Sequence, residues 1–296
     1  MPKAIPLLAA LILALPAAAQ DPDRDVLRRH ALDLVNETRA EAGLPALTLA
    51  PVLTEAAQDH ADDMAERDFY AHVSPEGVTP ADRFRAAGGS DWALSGENLA
   101  RCTGCPAPPD RARVGAFQSG WMQSPGHREN ILAPGFDRFG YGIRAEGDAI
   151  YAVQTFAGPG AGDGGPALGQ GTARQAALAE VNARRAEAGL APLEGSPALD
   201  RVAEAALEAR LADEDLPDDL FALLPEGGGG WTSLGLASAS LGGAGTGITE
   251  GTVTELVDTW TRDGTPPGGA AATAFGFAAA ARADGRVTGI GVFGGR

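Results

Sequence analysis

Arg39-Ala40-Glu41-Ala42-Gly43-Leu44 returns later in the chain as Arg185-Ala186-Glu187-Ala188-Gly189-Leu190. The same offset of 146 residues also pairs Val35 with Val181, Asn36 with Asn182, Leu47 with Leu193, Pro51 with Pro197 and Leu53 with Leu199. Chance does not hold one register over so many positions, so the chain is an internal duplication. The far ends agree once one residue is inserted. Phe139-Gly140-Tyr141 answers to Phe275-Gly276-Phe277, and Phe156-Ala157-Gly158 to Phe293-Gly294-Gly295. Between the copies, Gly158 to Gly171 is rich in Gly, Pro and Ala without apolar periodicity, which reads as a flexible linker. The expected division is a first domain over 25–158, a linker over 159–171 and a second domain over 172–296.

Within the first copy, Val26 to Ala42 fits an amphipathic helix with Leu27, Ala31, Leu34, Val35 and Thr38 on one stripe and Gly43 as its stop. A second helix has Pro51 in its first turn and Leu53, Ala57, His60, Ala61 and Met64 on one face. Trp121 belongs to a third, begun near Arg113. Gly140 to Ile143, the turn Glu146-Gly147-Asp148, and Ile150 to Phe156 read as an antiparallel hairpin. Helices first and strands last indicate an α+β domain with helices packed on a small antiparallel sheet.

The first nineteen residues read as a cleavable signal peptide, with Lys3 as the charge, Ile5 to Leu15 as the apolar stretch and Ala17-Ala18-Ala19 as the small-residue cleavage site. That apolar run is shorter than the ~20 residues a membrane-crossing helix needs, and no later segment offers one. The expectation is a secreted or periplasmic product with no membrane span. The formal charge of −16 sets the chain against phosphate backbones, so nucleic acid is excluded as a natural partner. Cys102 and Cys105 are the two cysteines. In an oxidising compartment they are expected to close a disulfide, and their setting among Gly104, Pro106, Pro108 and Pro109 favours a local staple over redox chemistry or zinc.

All four histidines fall in the first copy. His30 lies near the charged start of the first helix and His60 on the core stripe of the second, so both read as structural. His72 follows in His72-Val73-Ser74-Pro75-Glu76-Gly77, a segment built to turn, where a ring projects from a loop. Glu97 stands in Gly96-Glu97-Asn98-Leu99-Ala100, and His127 in Trp121-Met122-Gln123-Ser124-Pro125-Gly126-His127-Arg128-Glu129-Asn130-Ile131-Leu132. Two imidazoles and a carboxylate can hold a divalent metal with an open position for water, provided the fold gathers them. Spacing alone does not show that it does.

These motifs, in this order and together with Tyr151-Ala152-Val153-Gln154-Thr155-Phe156, resemble the CAP superfamily: cysteine-rich secretory proteins, antigen 5 and pathogenesis-related protein 1. The likeness is to its bacterial branch of SCP-like extracellular domains and covers about Asp25 to Gly158. It implies an α-β-α sandwich, a three-stranded antiparallel sheet between helices, with a cleft of two histidines and acidic residues. His72, Glu97 and His127 match three cleft positions. Ser124 stands where many eukaryotic relatives have a second glutamate, with Glu129 close by in sequence.

The second copy lacks this set. At the common offset His72 becomes Asp218 and His60 becomes Ala206, and aligning Trp260 with Trp121 puts Pro266 at His127. Gly227 to Gly247, rich in Gly, Ser and Ala, suggests a degenerate and looser domain.

Two functional classes follow. The first is a non-enzymatic extracellular module whose cleft takes an unknown lipid, peptide or protein ligand, with or without a divalent metal such as zinc. The second is a metal-dependent, protease-like hydrolase in which His72 and His127 hold the ion and Glu97 is base or ligand, although no helical HExxH occurs. Within the first class, a histidine–carboxylate network that merely stiffens the loops stands beside metal binding. Ser74 or Ser124 as nucleophile lacks a nucleophile elbow.

Overall fold

The computed structural model describes residues 22–217, 219–225, 230–261 and 267–296. The signal segment 1–19, Asp218, Pro266 and Gly227–Gly229 lie outside the described residues.

Helix α1 (Pro22–Glu41) buries Leu27, Ala31 and Val35, the centre of the stripe read from the sequence. Gly43 ends the turn beyond it with φ +72°, a conformation that costs glycine nothing. The chain continues through β1 (Thr48–Leu49), α2 (Pro51–Glu66), α3 (Pro80–Ala86), β2 (Leu94–Thr103), α4 (Arg111–Gln123), α5 (Pro125–Leu132), β3 (Arg138–Glu146) and β4 (Ala149–Gly158). The second copy follows this order without α-helices matching α3 and α5 among the described residues: α6 (Gln170–Glu187), β5 (Glu194–Gly195), α7 (Pro197–Leu211), β6 (Ser233–Leu241), α8 (Glu250–Trp260), β7 (Ala274–Ala281) and β8 (Val287–Gly295).

Each copy has its own sheet, of order β1-β3-β4-β2 and β5-β7-β8-β6. The three-stranded antiparallel sheet expected from the resemblance gains a fourth, two-residue strand in both copies, and that strand runs parallel to its neighbour. The physical reason is local. Where the chain crosses from α1 to α2 it lies extended along the edge of β3, and Thr48 N and Ala50 N donate to Asp137 O and Phe139 O.

Alternation along β3 assigns the layers. Phe139, Tyr141 and Ile143 join the core formed with α1 and α4. Gly140 and Gly142 face α2 so closely that a Cβ on either would stand 2.2 Å from a backbone atom of Leu53 or Ala57. Helices therefore cover both faces, giving the α-β-α sandwich. The second copy reproduces it, with Gly276 against Leu199 of α7 and Phe275 and Phe277 in the opposite core.

Two expectations are corrected. The glycine- and serine-rich stretch of copy two is not loose over 233–241: β6 pairs with β8 from Ser233↔Gly295 to Leu241↔Val287. Backbone pairing needs no large side chain, and Trp231 and Trp260 fill the space that small residues leave. The linker is also held. Gly160 N donates to Gly135 O, Leu168 N to Ile248 O, and Thr249 Oγ1 to Asp163 Oδ2.

The candidate histidine–carboxylate cleft

Glu97 lies on β2 opposite Thr155 of β4, with its side chain 2 % exposed. A buried carboxylate is costly unless paired, and here both oxygens are engaged. Oε1 meets His72 Nδ1 at 2.8 Å, and Oε2 accepts from Arg83 Nη2 at 2.8 Å. His72 sits in the turn that follows α2, its side chain half exposed. That turn is fixed by Gly77 N donating to Ser74 O, by Ser74 N donating to Val78 O, and by Arg83, whose guanidinium also donates to the carbonyls of His72 and Val78.

Arg83 is the residue that sequence reasoning missed. It sits one turn into α3, whose start is written in Thr79-Pro80-Ala81-Asp82: Thr79 and Asp82 form a reciprocal capping box. That signature could have placed a helix, and so Arg83, beside the His72 turn. A guanidinium thus joins the His72–Glu97 pair, while Ser124 keeps the position at which many eukaryotic relatives have a second glutamate. Ser124 is the shared cap between α4 and α5 with no side-chain cap hydrogen bond, and Glu129 is exposed on α5.

His127 lies near the start of α5, partly buried. Burial, and then the charge of the nearby His72 ring, push its pKa below the ordinary imidazole value. His72 and Glu97 are thus in direct contact, and His127 lies near enough to His72 for their charges to interact. No three His, Cys, Asp or Glu side chains among the described residues stand close enough to share one ion. Cys102 and Cys105 are disulfide-bonded at the end of β2.

Behind the cleft runs a chain of buried amides drawn from the quoted motifs. Asn98 Nδ2 donates to His127 O and Gln154 Oε1, Asn130 Nδ2 to Glu97 O and Asn98 Oδ1, and Gln154 Nε2 to Gln118 Oε1. Trp121 Nε1 donates to Leu99 O. These bonds fix β2 against α4 and α5, so Glu97 and His127 hold their relative places. The second copy replaces the whole set by apolar contact. Its register puts Leu236 at the Glu97 position, Ala237 at Asn98 and Gly291 at Gln154, and the Trp260 ring lies 2.9 Å from where a Gly291 Cβ would stand.

His60 is fully buried and does not enter the cleft. Its Nε2 donates to Ala71 O at 2.9 Å, one residue before His72, so it holds the base of that turn. Burial above all lowers its pKa below the ordinary imidazole value of 6.5, which favours the neutral ring. Its contribution to stability is therefore complete above pH 6.5 and is lost as pH falls through the lower folded value, with a limiting slope of about 1.4 kcal/mol per pH unit per proton. His60→Gln keeps a donor in place of Nε2 and cannot titrate. Denaturant melts at pH 7.5, 6.5, 5.5 and 5.0 are expected to show a shallower loss in the variant, and equal slopes would remove His60 as the cause.

The architecture is an α-β-α sandwich present in two copies, of which the first carries the His72–Glu97–Arg83 cluster. Residues 32–156 match the family model of CAP, the cysteine-rich secretory protein family, and this half of the chain is a CAP domain. Two curated relatives come from Bacillus subtilis. YkwD is 31% identical over 126 residues, covering 43% of this chain and 45% of that protein. The membrane protein YlbC is 31% identical over 128 residues, covering 43% of this chain and 33% of that protein. The chain spans less than half the length of either. Among solved structures, an extracellular SCP-domain protein of Bacillus anthracis is 28% identical, with 47% of this chain and 44% of that chain covered at a TM-score of 0.39.

Proposed function

We propose that this chain is an exported, non-enzymatic interaction module whose first copy presents a prebuilt cleft to a ligand outside the cytoplasm. The observation that carries this reading is the state of Glu97. A general base must reach water, and the Glu97 side chain is 2 % exposed with each oxygen already paired, one to His72 and one to Arg83. The carboxylate works as a structural pin. Metal-dependent hydrolysis through Glu97 is correspondingly disfavoured.

A three-ligand metal site that includes Glu97 does not fit these residues, since no three His, Cys, Asp or Glu side chains among the described residues stand close enough to share an ion and Arg83 adds a positive charge beside Glu97. A two-imidazole site fits better. With Nδ1 of His72 directed to Glu97, its Nε2 is the nitrogen left for an ion, the arrangement by which a carboxylate orients a ligating histidine. His72 and His127 would hold a zinc ion weakly, leaving positions for a ligand's oxygen or nitrogen.

Calorimetric titration of the full chain with zinc tests this. His72→Ala and His127→Ala are each expected to weaken binding tenfold or more, while His30→Ala leaves it unchanged. Equal zinc binding by wild type and the His72→Ala/His127→Ala double variant would remove the metal from the cleft. Hydrolysis of a broad peptide and ester panel, lost in that double variant, would overturn the non-enzymatic reading.

A further inference from the structure

We infer that the second copy is a brace for the first copy's cleft, gripping the one loop whose two ends carry Arg83 and Glu97. That loop runs from the end of α3 at Ala86 to the start of β2 at Leu94. Arg83 lies four residues before it in sequence and Glu97 shortly after, so its path sets the distance across which Arg83 and Glu97 meet at 2.8 Å. Copy one holds it through Gly89 N donating to Phe84 O, an Arg85–Asp91 ion pair at 3.1 Å and Ala93 packed against the Leu53 and Phe84 cluster.

Copy two adds a second hold at three points. Ser90 Oγ donates to Asp284 Oδ2 at 2.7 Å. Gly243 N donates to Trp92 O at 2.8 Å. The Arg286 guanidinium lies over the Trp92 ring, 4.6 Å from its centroid, a cation–π contact on an arginine only 9 % exposed. Beside them Gly245 N donates to Pro159 O just after β4, and Gly160 against Gly243 and Gly285 against Pro159 lie so close that neither glycine admits a Cβ. The grip therefore covers both the start of β2 and the exit from β4, its hydrogen-bonded neighbour.

Asp284 and Arg286 belong to the turn between β7 and β8, and this is where the two copies part company. The equivalent turn of copy one, between β3 and β4, is the two residues Gly147-Asp148, whereas copy two has the five residues Arg282-Ala283-Asp284-Gly285-Arg286. Copy two has lost the cleft residues and gained the turn that holds the other copy's cleft loop. That division gives a physical reason for keeping a sandwich with no cleft of its own.

The inference rests on the cleft being the working part of the chain but not on zinc. In the full chain, Arg286→Ala and Asp284→Ala are each expected to speed amide hydrogen exchange across residues 88–99 tenfold or more and to move the His72 ring resonance, with His30 unmoved. Arg286→Lys, which keeps a cation over Trp92, is expected to restore both. Arg174→Ala, which cuts a bond from α6 to Phe277 O on another face of copy two, serves as the control and should leave residues 88–99 unchanged. Should Arg286→Ala not fold, Ser90→Ala cuts the same grip from the first copy's side. Unchanged exchange over 88–99 and an unmoved His72 resonance in these variants would overturn the brace. So would equal changes in Arg174→Ala. Failure of the wild type to bind zinc would remove the metal reading alone.

Discussion

Arg39→Ala is expected to destabilise the first copy by about 3–5 kcal/mol, and Arg185→Ala the second by a similar amount, as read by denaturant unfolding. Arg39 is fully buried, and its guanidinium donates to four carbonyls: Pro45 and Ala133 at 2.9 Å, Ile131 at 2.9 Å and Phe136 at 3.3 Å. Those carbonyls lie in the loop after α1, the end of α5 and the approach to β3. One side chain thus satisfies backbone acceptors of three segments that share no secondary-structure bonds. Arg185 does the same for Ala191, Pro267, Gly269 and Ala272. Burial lowers the pKa of both, yet arginine stays charged in proteins, so the cost of burying each cation is met by these bonds. Truncation removes that cost together with the bonds and strands four acceptors, which is why the net loss falls below the sum of four charge-assisted hydrogen bonds. Lysine is expected to rescue little, since one ammonium cannot reproduce the planar fork. A loss under about 1 kcal/mol in both copies would mean that water replaces the guanidinium freely.

The same residues explain what the sequence could and could not tell. Arg39 and Arg185 stand in the repeated hexapeptide because each fold needs that donor set, and Asn36 and Asn182 repeat because each clasps the backbone of Leu47 or Leu193 through both amide atoms. Such residues are legible by self-comparison, as are the helices, whose apolar stripe follows from local period. Grouping His72, Glu97 and His127 rests on resemblance alone, because contacts such as the one between His72 and Glu97 bridge distant positions and leave no periodic trace. Arg83 escaped for a related reason: an arginine on a short helix looks solvated until its tertiary partner is known. The two-residue strands β1 and β5 are too short to carry alternation. β6 was obscured by composition, since glycine and serine weaken a strand signal that backbone pairing does not require. The grip of copy two on Trp92 depends on a five-residue turn whose partner is nearly 200 residues away, beyond the reach of any local pattern.

Glu97→Gln and Glu97→Ala are expected to separate the pin from the ligand. Alanine leaves Arg83, 11 % exposed, without its carboxylate, and breaking such a buried pair by removing one partner costs about 3–5 kcal/mol, eased here by the two carbonyls that Arg83 still reaches. Glutamine costs less because its oxygen can still accept from Arg83. Its NH2 group then faces His72 Nδ1, where the carboxylate had stood, and a donor in that position requires Nδ1 to accept. The ring answers by carrying its proton on Nε2, the nitrogen that a zinc ion needs bare. Glu97→Gln should therefore fold with a loss of about 1–2 kcal/mol yet bind zinc at least tenfold more weakly than wild type. Nitrogen-15 spectra of the imidazoles should show the His72 proton moving from Nδ1 to Nε2, with the His30 ring unchanged. If the tautomer moves and zinc affinity does not, His72 is no ligand and its bond to Glu97 serves only to hold the turn. If neither moves, Glu97 does not orient the ring at all, and the contact at 2.8 Å is a packing neighbour of the Arg83 pair.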